Sequence, residues 1–359
     1  MCTVGSGRQR PPHREAYRTT VAISSTVHMS GSQVYRRLAG RRLRARARHA
    51  NTHRASKAWS ATDPRGRWAP DRIGTREVAK AVLDENDNAQ ICQRALGLDA
   101  PPPPLFAGAD RHFAVGEDKV ARVHRSLRTW RQEAHALRVW SPQLVDLAPH
   151  WLGGDEASRV IIMTRVPGDG WTRDQGDTAR TRRVLHDVGK LLATLHALPL
   201  GTHVDPLPLS EAIAQRVAAC RARARGFSET RDWADALPAD VDVWWSDTAR
   251  VPCHRDNQPR NWLVDDAGVA RIVDFEHSRP DHWMSDLVKL PDELPALESD
   301  AILDAVLTGY GRRDVLGTQT FTACWNAWRM LHGLTTWTWG LEHEDAAFIV
   351  RGRAIVTPG

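Results

Sequence analysis

The chain has 359 residues, 42% of them hydrophobic, enough to bury the core of one large or two ordinary domains. Its formal net charge of +6 sits in the first 75 residues, which hold 16 of the 49 Lys+Arg and 3 of the 43 Asp+Glu; the mildly acidic remainder argues against nucleic acid as a partner. Five scattered cysteines without a CxxC pair argue against a zinc ribbon or disulfide framework, and no apolar run reaches the length of about 18 residues that a membrane span needs.

Residues 1–74 are rich in Arg, Ser, Thr and Gly, with the run Arg41-Arg42-Leu43-Arg44-Ala45-Arg46-Ala47-Arg48 at their centre. No hydrophobic period persists there, so a disordered tail is expected. The arginines are not followed by an apolar signal-peptide core, and a reducing cytoplasm is the expected location. From Thr75 the character changes. Glu77 to Leu96 has helical spacing, and Pro101–Pro104 breaks the chain. Phe113-Ala114-Val115 and Val120-Ala121-Arg122-Val123, separated by Gly116-Glu117-Asp118, form a hairpin pattern. A helix carrying Glu133, Ala136, Leu137 and Trp140 follows, then the buried-strand run Val160-Ile161-Ile162-Met163, ending before Pro167-Gly168.

Beyond Gly168 helices dominate. Val184, Leu185, Val188, Leu191, Leu192 and Leu195 mark one face of period 3.6, which reads as core. The expectation is an α+β, bilobal architecture: a small β-rich lobe over 75–166 and a larger helical lobe over 167–359.

The chemistry is concentrated at Cys253-His254-Arg255-Asp256-Asn257-Gln258-Pro259-Arg260-Asn261-Trp262-Leu263-Val264, followed by Arg271-Ile272-Val273-Asp274-Phe275-Glu276. Phosphoryl transfer requires a carboxylate to orient a hydroxyl and accept its proton, and oxygen ligands to hold magnesium on the phosphates. Asp256 is placed for the first task, and Asn261 and Asp274 for the second. His-x-Asp-x4-Asn alone is a weak signal; the hairpin leading into Asp274 gives it weight.

This block resembles the aminoglycoside phosphotransferase and choline kinase superfamily, small-molecule relatives of protein kinases. Asp274 follows Asp256 by 18 residues and Asp286-Leu287 follows Asp274 by 12, spacings similar to the family's. The resemblance implies a protein-kinase-like fold, a nucleotide (ATP or GTP), Mg2+ and a small-molecule hydroxyl acceptor. It implies that Asp256 is the base, Asn261 and Asp274 are metal ligands, and His254, Glu276 and Asp286 are supporting residues. Arg255 replaces the family's usual glycine, while Glu276 stands where protein kinases have the glycine of Asp-Phe-Gly and favours the small-molecule branch. In the small lobe, Arg122 stands at the family's lysine position, with Glu133 as its partner and Lys119 as a rival cation. Gly108 to His112 occupies the phosphate-covering turn, and Met163 to Val166 is expected to meet the nucleotide base.

An antibiotic or secondary-metabolite hydroxyl, such as that of an aminoglycoside, is the leading acceptor, with choline-like or sugar substrates next. A nucleotide-binding scaffold without transfer is the alternative from another class. Trp244, Trp245, Trp283, Trp325, Trp328, Trp337 and Trp339 read first as core and second as an aromatic acceptor wall. Asp240, Asp242, Asp281, Asp292, Glu293, Glu342, Glu344 and Asp345 would suit a cationic acceptor. His277, His282 and His343 have no zinc-site spacing.

Overall fold

The computed structural model describes residues 85–357 except 107–108, 172–175, 177, 202–207 and 239–248. The expected tail (1–74), the start of the expected first helix, Gly108, Asp240, Asp242, Trp244 and Trp245 lie outside the described residues.

Four antiparallel strands build the small lobe: β1 (His112–Ala114), β2 (Lys119–Val123), β3 (Trp151–Asp155) and β4 (Val160–Thr164), in the order β1-β2-β4-β3. The β1–β2 turn passes through Gly116 at φ 74°, a left-handed position that glycine occupies without a Cβ clash. Within β2 only Lys119 is exposed; Val120 to Val123 are buried, Arg122 among them. Helix α1 (Glu85–Leu96) covers one side of the sheet, with Cys92 packed beside Phe113, Ala121 and Val160. Helix α2 (Leu127–His135) begins at Ser126, whose Oγ accepts the Thr129 N–H at 3.2 Å. It runs directly into a π-helical turn, Ala136–Trp140, so the expected single helix changes pitch after His135.

The larger lobe is mostly helical: α3 (Ala179–His196), α4 (Leu209–Arg225), α5 (Arg231–Ala236), α6 (Leu290–Glu293), α7 (Ser299–Tyr310), α8 (Gln319–His343) and α9 (Ala346–Val356). All six residues of the predicted α3 face are buried, and they pack into one core with α7, α8 and the strands described next. Short strands carry the motif residues between the helices. β5 (Asp169–Gly170), β7 (Trp262–Val264) and β8 (Ala270–Ile272) form one sheet, and β6 (Val251–Cys253) pairs with β9 (Arg279–Asp281).

Helices α3 and α7 approach through reciprocal glycines. A Cβ on Gly189 would stand 2.1 Å from the Val306 carbonyl oxygen, and one on Gly309 would stand 1.8 Å from that of His186. Neither backbone can move without separating the helices. Alanine would favour an isolated helix over glycine, but here Gly309→Ala is expected to destabilise by about 1–3 kcal/mol through overpacking. The urea unfolding midpoint reads the sign; an unchanged or raised midpoint would show that the interhelical contact is not tight.

Candidate active site

The sheet delivers one cation to the cleft between the lobes. Arg122 Nη1 donates to both oxygens of Glu133 on α2, at 3.0 and 2.9 Å, and to Asp274 Oδ1 at 2.8 Å. Its Nη2 lies 2.9 Å from Glu276 Oε2. Burial alone would lower the guanidinium, but Glu133, Asp274 and Glu276 together hold it above its ordinary range. Burial would likewise raise Glu133, and Arg122 with His124 holds it well below the usual carboxylate range. Glu133 has further duties: His124 Nε2 lies 2.9 Å from Oε2, and the Phe275 N–H donates to Oε1 at 3.0 Å. Lys119 sits on the exposed edge of β2 opposite Thr164, outside this cluster.

The loop after β6 is held from below by one carboxylate. Asp286 Oδ2 accepts the His254 N–H at 2.9 Å and Oδ1 accepts the Arg255 N–H. His196, the last residue of α3, reaches the same Oδ2 through Nε2 at 2.9 Å and meets the Tyr310 hydroxyl through Nδ1 at 2.8 Å. Arg255 adopts φ 63°, the left-handed conformation that favours glycine. An ion pair to the buried Asp281, 2.8 Å from Arg255 Nε, anchors the arginine side chain. His254 is wholly buried, with Nε2 donating to the Val273 carbonyl at 3.0 Å and Nδ1 accepting the Asp256 N–H at 3.3 Å. Both ring nitrogens are thereby used to shape the loop.

Asp256, 3% exposed, emerges from this loop. Its Oδ1 is 2.5 Å from Lys289 Nζ, and its Oδ2 accepts from Arg260 at 3.1 Å and from Asn261 Nδ2 at 2.9 Å. Burial alone would push the carboxyl up; Lys289 first and Arg260 next hold it well below the usual carboxylate range. Asn261 also donates to the Asp256 carbonyl at 2.8 Å, which spends its amide nitrogen and leaves Oδ1 without a hydrogen-bond partner among the described residues. The Val273 N–H donates to the Asn261 carbonyl at 3.0 Å, so Asn261 and Asp274 leave the same end of the β7–β8 hairpin. Asp274 has φ 70°, a sharp left-handed turn that ends the strand path and sends its carboxylate toward Arg122.

Lys289 and His196 were not anticipated from the sequence. Lys289 follows Asp286 by three residues, one helical turn, which is the only signal that could have pointed to it. Met163 lies inside β4, paired with Val120, so the connector that leaves the sheet begins at Arg165; Val166 is in it. Arg111, just before β1, stands 3.5 Å from Glu276.

The acidic residues of the helical lobe are largely committed: Asp281 to Arg216 and Arg255, Asp292 to Arg329, Glu293 to Arg351, and Glu342 to Arg223. Asp345 caps α9. Trp283, Trp328 and Trp337 are buried in the core. The metal-type grouping among the described residues is His196, Cys253 and Asp286, and it contains none of His277, His282 and His343.

The Arg122–Glu133 pair provides a test of this electrostatic arrangement. Glu133→Gln keeps the side-chain volume and removes the charge, and is expected to cost about 3–5 kcal/mol because the guanidinium stays buried with weaker compensation. The urea midpoint measures it; a loss under roughly 1 kcal/mol, as for an exposed pair, would contradict it.

Comparison with known proteins bears on this geometry. Among solved structures, a macrolide 2'-phosphotransferase type I is 17% identical, with a TM-score of 0.55, covering 77% of this chain and 97% of its own. The GDP complex of an aminoglycoside 2'-phosphotransferase-IIIa is 15% identical, with a TM-score of 0.53 and coverages of 71% and 91%. Choline kinase LicA from Streptococcus pneumoniae is 14% identical, with a TM-score of 0.51 and coverages of 70% and 90%. At these identities the likeness is one of fold. No curated protein sequence matches the chain. The profile of the phosphotransferase enzyme family matches residues 106–325, more than half the chain and all of the geometry above from β1 through Lys289, and the chain belongs to that family.

Proposed function

We propose that this phosphotransferase moves the γ-phosphoryl group of ATP or GTP to a hydroxyl of a small molecule, an antibiotic or secondary metabolite such as an aminoglycoside leading, with choline-type or sugar acceptors next. The observation that carries the reading is the joint placement of Asp256, Asn261 and Asp274 around one loop and hairpin, with Asp274 paired to the buried Arg122. Asp256 orients the acceptor hydroxyl and takes its proton. The acceptor oxygen then bonds to the γ-phosphorus as the bond to the β,γ-bridging oxygen breaks, and the nucleoside diphosphate leaves.

Arg122 is the nucleotide-side cation. Its Nε is buried without a hydrogen bond, a donor left unused by the three carboxylates around it. Glu133 positions Arg122, and the backbone of Val166, outside the sheet ladder, suits the nucleotide base. Asn261 Oδ1 and the Asp274 carboxylate are hard oxygen donors of the kind magnesium prefers, and they fit as its ligands. When bound, Mg2+ neutralises charge on the phosphates. His254 and Asp286 hold the loop, and Glu276 holds Arg122 from the other side. None of the helices among the described residues is long and apolar enough to cross a membrane, and a cytoplasmic enzyme accords with that reading.

The test is to incubate the wild type and Asp256→Asn with labelled ATP or GTP and a panel of aminoglycosides, macrolides, nucleoside antibiotics and choline. Label is expected in one acceptor class, reduced about 10²–10⁴-fold in the variant. Nucleotide binding with no acceptor labelled would instead favour a scaffold, and equal labelling by the variant would remove Asp256 from the mechanism.

The pH profile follows from Lys289. In Lys289→Met the strongest opposing charge is gone, burial prevails and the Asp256 carboxyl rises. Because the base works as the carboxylate, activity is lost as pH falls through its pKa. The acid limb of kcat/KM is therefore expected at higher pH in the variant than in wild type. An acid limb that stays in place would show that Lys289 does not tune the base.

A further inference from the structure

A second group of charges lies in the helical lobe, behind the loop that carries Asp256. Its centre is Asp281, the last residue of β9, whose side chain is 1% exposed. Arg216 of α4 donates to both Asp281 oxygens, at 2.9 and 2.8 Å, and Arg255 Nε lies 2.8 Å from Oδ2. The Arg255 Nε is nevertheless buried without an aligned hydrogen bond. One carboxylate is thus already shared by two guanidinium groups.

Arg279 makes a third. It stands two residues before Asp281 on β9, hence on the same face of the strand, and its register partner is Cys253, two residues before Arg255. Among the described residues the Arg279 guanidinium has no hydrogen bond and no ion pair, although it is only partly exposed. Burial first, then repulsion from Arg255 and Arg216, pushes it down to about 9 against the attraction of Asp281; Arg128 at the start of α2 adds to the repulsion. A cation rarely stays desolvated among like charges without an anion to pair with. The Arg216 and Arg255 side chains are 24% and 22% exposed, so the group is open to solvent on one side. Guanidinium forks suit the oxygens of a tetrahedral anion.

We propose that Arg216, Arg255 and Arg279 form an oxoanion site that takes a phosphate group, from inorganic phosphate or from a phosphomonoester. Arg255 belongs to the loop that carries Asp256, but the Asp256 carboxylate itself is held by other side chains, those of Lys289, Arg260 and Asn261.

The test compares the full chain and its Arg279→Gln variant by thermal unfolding, at constant ionic strength in chloride, while inorganic phosphate or phosphoserine is titrated. Without phosphate the variant is expected to melt at or above wild type, because a repelled charge has been removed. With either probe at ~100-fold excess over its Kd, wild type gains roughly 3–8 °C and the variant gains much less, so the order of stabilities reverses. A response to phosphoserine alone assigns the site to phosphomonoesters. The proposal fails if the variant keeps the full shift, which places the phosphate elsewhere, such as at Arg122. It also fails if wild type shows no saturable shift, or if the variant melts below wild type in chloride.

Discussion

A buried guanidinium ties the two lobes together. Arg122 comes from the sheet, Glu133 from the neighbouring helix, and Asp274 and Glu276 from the helical lobe, 152 residues beyond Arg122 in the case of Asp274. Taking one cation out of water is costly, and three carboxylates share the compensation. That arrangement makes the cleft geometry a single electrostatic unit. The position of α2 is set by Glu133, and the path of the chain after β8 is set in turn by the Phe275 N–H on the same carboxylate. The carboxylates around Arg122 leave a negative surplus, the setting in which the proposed magnesium would be held.

The loop that carries Asp256 shows how a non-glycine residue is held in a left-handed conformation. A glycine would take φ 63° freely; Arg255 takes it under the double restraint of the Asp286 carboxylate on its N–H and Asp281 on its side chain. The loop is therefore determined by long-range polar contacts rather than by local preference. Asn257 joins them, donating to the Asp286 carbonyl at 2.8 Å and accepting from Trp262 Nε1 at 2.7 Å. The His254 ring, the Asn257 amide and the Asp286 carboxylate all have partners here, which is how so polar a loop can lie so deep.

Much of the fold could be read in the residues, for identifiable reasons. The hairpin around Gly116, the α3 face and the bilobal order announce themselves through spacing, since period and turn chemistry are local properties. Asp256, Asn261, Asp274, Arg122 and Glu133 stand out because phosphoryl transfer demands those types at near-fixed separations. Lys289 and His196 do not, because their importance comes from partners 33 and 90 residues away. The change of pitch after His135 and the two-residue β5 are tertiary outcomes with no periodic trace. The acidic residues that suggest a cationic acceptor lose that meaning once their arginine partners are known, and only the folded chain brings those partners in.

The interlocked glycines of α3 and α7 reach further than packing. Each helix ends in a residue of the polar layer, α3 in His196 and α7 in Tyr310, and the two side chains hydrogen-bond at 2.8 Å. The backbone contact at Gly189 and Gly309 thus acts as a spacer that sets the separation of those ends. His196 passes that separation to Asp286, and Asp286 passes it to the backbone on which Asp256 stands. The placement of Asp256 is in this sense gauged by two absent methyl groups.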